Sequence, residues 1–232
     1  VRTFVIGDVH GHHDRLLELL NRAGIRQGDN TPIVQLGDLG QFSLDTREDD
    51  LRCWQVARAW GMTVLWGNHD RAVVDEVSHG FRGYSPPLSE TIDVMREVAP
   101  KLCAVVGDYL LTHAGLHPVW GVGNHAVEAM LRIMNQYSHG DVAIVDSISR
   151  RRGGDGSCGG ILWRDDGEPL DTSIPQVYGH TRGDIRRHGR SWCIDVASRE
   201  NDSLAGLWLP EGRIVAVGPD AAYHEMPMPE DE

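Results

Sequence analysis

Short apolar runs, each closed by a glycine, set the rhythm of the first third of the chain. Arg2-Thr-Phe-Val-Ile6 runs into Gly7-Asp8, and Pro32-Ile-Val-Gln-Leu36 runs into Gly37-Asp38. Met62-Thr-Val-Leu-Trp66 ends in the same way at Gly67-Asn68. Runs of this length, rich in β-branched and aromatic residues, predict buried strands. Between the first two, Leu16, Leu17, Leu19 and Leu20 recur at helical spacing, with Asp14 as the expected N-cap. A second helix is predicted from Glu48 to Trp60. Strands alternating with helices predict an α/β fold, in which ligands gather at the carboxyl ends of the strands.

The second half is less regular. Helices are predicted from Glu90 to Val98 and from His125 to Gln136, and a hairpin from Leu102-Cys-Ala-Val-Val106 and Tyr109-Leu-Leu-Thr112 around Gly107-Asp108. Further strands are expected at Gln176 to Tyr178, Trp192 to Val196, Leu204 to Leu209 and Arg213 to Val217. Their short polar connections predict an antiparallel closing sheet. Gly153 to Gly160 lacks the Gly-Lys-Ser/Thr of a nucleotide P-loop and reads as a flexible loop. No linker divides the chain, so one domain over residues 1–226 is expected, with an acidic, disordered tail at 227–232.

Composition narrows the class of protein. At 232 residues the chain can bury a full core, and no apolar run approaches the roughly 20 residues of a membrane span. A net charge of −12 repels nucleic acid at long range, so no stable nucleic-acid complex is expected. Cys53, Cys103, Cys158 and Cys193 are scattered, without a C-x-x-C pair. They read as structural thiols in a reducing compartment, which predicts a cytoplasmic protein.

The polar residues at the strand ends carry the chemistry. They are Asp8 and His10, then Asp38, then Asn68, His69 and Asp70, with His113 and His180 in later glycine-containing loops. Any one has an ordinary explanation as a cap, a turn or a packed histidine. The repetition of strand, glycine and ligand-type side chain does not. A mixed oxygen and nitrogen set suits two divalent ions, Mn²⁺ foremost, with Fe²⁺, Zn²⁺, Ni²⁺ or Mg²⁺ as alternatives. Two ions sharing a carboxylate clamp a phosphate and lower the pKa of bound water from 15.7 to about 7.

The set Gly7-Asp-Val-His-Gly11, Gly37-Asp38, Gly67-Asn-His-Asp70, His113-Ala-Gly115 and Gly179-His180 resembles the calcineurin-like metallophosphoesterase superfamily. Within it, Thr112-His-Ala-Gly-Leu116, Leu162-Trp163 and Cys193-Ile-Asp195 resemble the phosphoprotein-phosphatase branch. That branch includes bacterial and phage serine/threonine phosphatases and symmetrical diadenosine tetraphosphatases. The resemblance implies a four-layer αββα sandwich of two mixed β-sheets, with metals at the sheet edge. It implies that Asp8, His10 and Asp38 hold one ion, and that Asp38, Asn68, His113 and His180 hold the other. It also implies that His69 is the general acid. Asp70, next in the chain, is a further catalytic candidate that could help orient His69, although the branch has Glu at this position without that role.

The chain leaves the branch pattern in its second motif. Gln41 stands where the branch has the aspartate that steadies the catalytic histidine, and Phe42 and Trp66 stand where it has phosphate-gripping arginines. Losing two bidentate cations weakens the grip on a dianionic monoester more than on a monoanionic diester. The expected substrate is therefore a small phosphodiester or nucleotide, hydrolysed by a metal-bound hydroxide. A serine/threonine phosphoprotein is the alternative substrate, and a non-catalytic metal-binding scaffold the alternative of another class. Arg150, Arg151, Arg152 and Arg182 are candidate replacement cations, and Phe42 and Trp66 are candidate platforms for a base.

Overall fold

The computed structural model describes residues 1–75, 84–196, 203–219 and 221–224. Two five-stranded sheets face one another, with helices on both outer surfaces. The first sheet contains β1 (Thr3–Ile6), β2 (Ile33–Gln35), β3 (Thr63–Val64), β9 (Leu204–Leu209) and β10 (Arg213–Val217) in the order β10-β9-β1-β2-β3. β1, β2 and β3 run parallel, with Phe4 opposite Ile33 and Val34 opposite Thr63. The second sheet contains β4 (Ala104–Val106), β5 (Tyr109–Leu111), β6 (Gln176–Tyr178), β7 (Arg186–His188) and β8 (Ser191–Cys193) in the order β4-β5-β6-β8-β7. Here β5, β6 and β8 run parallel.

Strand residues alternate between two cores because successive side chains point to opposite faces. Phe4, Ile6, Trp208, Val215 and Val217 pack outward against α1 (His13–Arg22), α2 (Arg47–Ala59) and α4 (Ser89–Val98). Val5, Val34, Leu111, Val177, Leu207 and Ala216 meet between the sheets. On the far side Leu110 joins a third cluster with Ala129 and Ile133 of α5 (Ala126–Ser138) and Ile144 and Val145 of α6 (Ala143–Asp146). Three cores separate four layers, the αββα arrangement expected.

The parallel strands of both sheets end on one edge, and the candidate ligands emerge there. α3 (Asn68–Val74) starts directly after the third strand and carries Asn68, His69 and Asp70 in its first turn. Elsewhere the structure differs from what the sequence predicts. The late strands do not form one antiparallel sheet: β9 and β10 complete the first sheet, while β6 and β8 lie parallel in the second. α1 begins with His12 as N-cap, and Asp14 falls inside the first turn. The glycine-rich stretch is packed rather than loose, since a Cβ at Gly154, Gly159 or Gly160 would meet backbone atoms of Ile148, Arg164 or Val145. The expected tail at 227–232 lies outside the described residues. No helix among the described residues is long and apolar enough to cross a membrane. The four cysteines are buried and unpaired.

Candidate metal centre

Asp38 lies at the centre of the cluster. Its Oδ1 accepts the His69 backbone N–H at 2.9 Å, which leaves Oδ2 facing three imidazoles. Oδ2 lies 3.9 Å from His10 Nε2, 3.9 Å from His69 Nε2 and 3.6 Å from His113 Nε2. Two groupings with metal-ligand spacing result, His10–Asp38–His69 and Asp38–His113–His180, and both include Asp38. Asp8 closes the first side, with Oδ2 3.8 Å from His10 Nε2 and its carboxylate accepting the His180 N–H.

Asn68 and His113 present acceptors to one another, with a ring nitrogen of His180 beside them. His113 donates its Nδ1–H to the Leu36 carbonyl at 2.9 Å, so in the neutral ring Nε2 is a lone pair. That lone pair lies 2.8 Å from Asn68 Oδ1 and 3.1 Å from His180 Nδ1, and the last two atoms are 2.9 Å apart. Acceptors converging in a buried place call for a cation. The donor set, imidazole nitrogens with carboxylate and amide oxygens, fits a borderline divalent ion.

Electrostatics point the same way. Burial, then the neighbouring carboxylates Asp195 and Asp38, drives Asp8 well above the ordinary carboxylate range. Burial and Asp70 do the same to Asp38. Burial holds His10 and His180 far below the usual histidine range, and lowers His113 to about 3 and His69 to about 4. Crowded carboxylates beside neutral imidazoles favour positive charge from outside the chain.

The backbone is shaped for this crowding. His10, Asp38 and His180 all have left-handed φ, at +50°, +53° and +70°. Such angles are costly for residues with a Cβ and cluster at functional sites. Gly179 permits a close approach, because a Cβ there would overlap Asp8 Oδ1. Gly37, at φ +98°, would with a Cβ press on the Gly67 backbone at 2.5 Å.

Several candidate residues have other tasks. Asp70 is fully buried, and its Oδ2 accepts the N–H groups of Asp38 at 2.7 Å and Gly67 at 3.1 Å. It braces the loop that carries Asp38, a structural task for a residue that the sequence offers as a catalytic candidate. Phe42 is 1% exposed in the outer core and packs over Gly40, so it cannot stack a base. Trp66 is half-buried and lines a cavity of about 740 Å³ together with Tyr84, Pro86, Ile92 and Met95. Arg150, Arg151 and Arg182 are exposed, and Arg151 lies against Gly167. Arg152 alone of the four turns inward. Its Nη2 donates to Thr181 Oγ1 at 2.7 Å, its Nε lies 2.8 Å from Asp165 Oδ2, and its charge acts on Asp38, His113 and His180.

Two supports escaped the sequence reading. Arg164 is 1% exposed, donates to the carbonyls of Ala114, Asp165 and Glu168, and pairs with Asp166, holding the loop after His113. Gln35, a polar residue within an apolar strand, donates to the carbonyls of Gly7 and Gly37 and so ties the first two ligand loops together. A buried-strand pattern interrupted by Gln was the available signal for it.

A family model described as calcineurin-like phosphoesterase matches residues 1–204. The chain belongs to this family. Calcineurin-like phosphoesterases are dinuclear metal-dependent, in keeping with two groupings that share Asp38. Among curated relatives, a symmetrical bis(5'-nucleosyl)-tetraphosphatase of Dechloromonas aromatica (strain RCB) is 34% identical over 132 residues, covering 51% of this chain and 45% of that protein. Another of the same name, from Pasteurella multocida (strain Pm70), is 28% identical over 206 residues, covering 78% of this chain and 66% of that protein. The chain thus spans about half to two thirds of the length of these relatives. Solved structures share the fold. A protein taken to be a diadenosine tetraphosphatase superposes with a TM-score of 0.60 at 20% identity, covering 94% of this chain and 93% of that one. A Saccharomyces cerevisiae serine/threonine phosphatase superposes with 0.54 at 15% identity, covering 99% and 82%.

Proposed function

We propose that this calcineurin-like phosphoesterase hydrolyses a phosphodiester or phosphoanhydride link in a small nucleotide, with dinucleoside polyphosphates the first class to test. The observation that carries the reading is the shared carboxylate, Asp38 Oδ2 facing His10, His69 and His113 within 3.9 Å. In this reading Asp8, His10 and Asp38 hold one divalent ion, and Asp38, Asn68, His113 and His180 hold the other, with Mn²⁺ the first choice. Divalent ions held there neutralise phosphate charge and acidify water.

The chain's own groups do the rest. Arg152, already turned toward the cluster, supplies the cation for a phosphate oxygen. His69 points Nδ1 at the Gln41 carbonyl, which leaves Nε2 on the side of Asp38 and the substrate. Burial keeps this imidazole neutral in the free protein, and a phosphate against Nε2 favours the charged form. Nε2–H then protonates the departing oxygen. One inward arginine among the four candidates, a core-buried Phe42 and a half-exposed Trp66 beside an apolar cavity suit a monoanionic phosphate linked to a nucleoside better than a free dianion. The tetraphosphatase names of the matched relatives support the same class.

The test compares bis-p-nitrophenyl phosphate, p-nitrophenyl phosphate and a dinucleoside tetraphosphate in Mn²⁺, with Asp38→Asn as control. Turnover of the diester and the tetraphosphate above the monoester is expected. Monoester preference would replace this reading with a phosphomonoesterase. No turnover by metal-loaded protein would leave a scaffold.

A further inference from the structure

One buried carboxylate beside the site has no part in the reading above. Asp50, in the first turn of α2, is 1% exposed. Its Oδ1 accepts the Gln41 N–H at 2.9 Å, and its Oδ2 accepts the Phe42 N–H at 2.9 Å and the Thr46 hydroxyl at 3.0 Å. On the other side of the same loop, the Gln41 carbonyl oxygen lies 3.4 Å from His69 Nδ1.

The Gln41 C=O and the Phe42 N–H belong to one peptide group. A trans peptide directs its oxygen and its hydrogen to opposite sides. A single amide plane therefore has a carboxylate on its N–H side and the imidazole on its C=O side. The plane is held in place from both flanks. Asp50 takes two consecutive N–H groups, and the Phe42 ring is buried over Gly40 with its backbone at φ +53°.

We propose that Asp50 is a positioning residue for His69, acting through the Gln41–Phe42 peptide, an inference that rests on the general-acid role given to His69. An ionised carboxylate on the N–H polarises the amide and adds negative charge to the carbonyl oxygen, as hydrogen bonds in a chain strengthen one another. That oxygen selects the Nδ1–H tautomer, leaves Nε2 to the substrate, and gains most when the ring is charged. As the phosphorus–oxygen bond breaks, its electron pair goes to the leaving oxygen and the Nε2 proton follows. The ring returns to neutral with Nδ1–H still on the Gln41 carbonyl. A peptide thus stands between carboxylate and imidazole at the place where the resemblance expects direct contact, and the Gln41 side chain has no role in it.

Asp50→Asn tests the relay. Asparagine keeps the volume but turns an NH₂ against one of the two N–H groups. The assay is kcat/KM of the Mn²⁺-loaded protein on diesters with leaving groups from p-nitrophenol to an alcohol. A p-nitrophenolate leaves without a proton, whereas an alkoxide needs one. The expected loss is below about 3-fold for the first and about 10- to 100-fold for the second, a share of the usual general-acid contribution. His69→Ala should show the same leaving-group pattern, and the double variant should lose little more. Equal losses on both leaving groups, or none, would overturn the proposal.

A second measurement depends on neither turnover nor the variant's folding. Imidazole ¹⁵N spectra of the metal-free wild-type protein should show His69 as the Nδ1–H tautomer, and an Nε2–H tautomer would overturn the relay. If the wild type cleaves no diester, the functional reading fails, while the tautomer still decides the role of Asp50.

Discussion

Removing the Asp70 carboxylate should cost stability in proportion to the amides it leaves bare. The residue is fully buried, and its Oδ2 accepts Asp38 N–H at 2.7 Å and Gly67 N–H at 3.1 Å. Longer contacts of 3.4 Å reach the N–H groups of Leu39 and Gly40. In Asp70→Ala the two short bonds are lost, and each orphaned donor costs about 1–3 kcal/mol, so about 2–6 kcal/mol is expected. That is a large share of the roughly 5–15 kcal/mol that holds a domain together. Asp70→Asn should behave differently. With its carbonyl in the Oδ2 position it keeps both short bonds, turns its NH₂ toward the distant Gly40 N–H, and removes a carboxylate that repels Asp38. A cost of about 1 kcal/mol or less is expected. The assay is urea unfolding of the metal-free protein in EDTA, comparing midpoints at a constant m-value. An alanine variant within about 1 kcal/mol of wild type would refute the brace, as would an asparagine variant as unstable as alanine.

Other perturbations reach the site from different sides. Gly179→Ala places a Cβ on Asp8 Oδ1, so Mn²⁺ affinity by calorimetry should fall about 10- to 100-fold with the circular dichroism spectrum kept, and unchanged affinity would contradict the close approach. Arg164→Met strands the Ala114, Asp165 and Glu168 carbonyls and should cost about 3–5 kcal/mol in urea unfolding, whereas a neutral result would show that the guanidinium is not a support. Burial raises Asp50 to about 6, so the folded state binds its proton more tightly than the unfolded chain. Its stabilising share is present below about pH 4 and lost as pH rises through about 6, a change of up to about 3 kcal/mol. The stability margin of metal-free wild type over Asp50→Asn should therefore shrink between those pH values, and a constant margin would contradict the shift.

Most of the fold was legible because its strands are buried on both faces and read as apolar runs closed by glycine. Gln176–Tyr178, Leu204–Leu209 and Arg213–Val217 form strands at the expected bounds. How those strands are shared between two sheets was not legible, since pairing depends on partners far along the chain. β7 was missed because Arg186-Arg-His188 is polar, as befits the edge strand it forms. The candidate ligands were legible from repetition alone, strand, glycine, then Asp, Asn or His. Their supports were not. Asp50 and Asp70 bond to backbone N–H groups, and only the left-handed turns at Asp38 and Phe42 aim those groups at them. Phe42 likewise occupies a position that suggested ligand contact, but its ring turns into the core. Arg152 could not be told from Arg150 and Arg151 until the short helical turn over Arg150–Arg152 set which of them faces inward.

The account rests on Asp38 as the carboxylate common to two metal positions. Electron paramagnetic resonance of the Mn²⁺-titrated protein, with metal content determined on the same samples, tests that most directly. Two ions per chain with an exchange-coupled spectrum are predicted, and Asp38→Asn should abolish the coupling. A single ion at saturation, or two ions with uncoupled spectra, would contradict it.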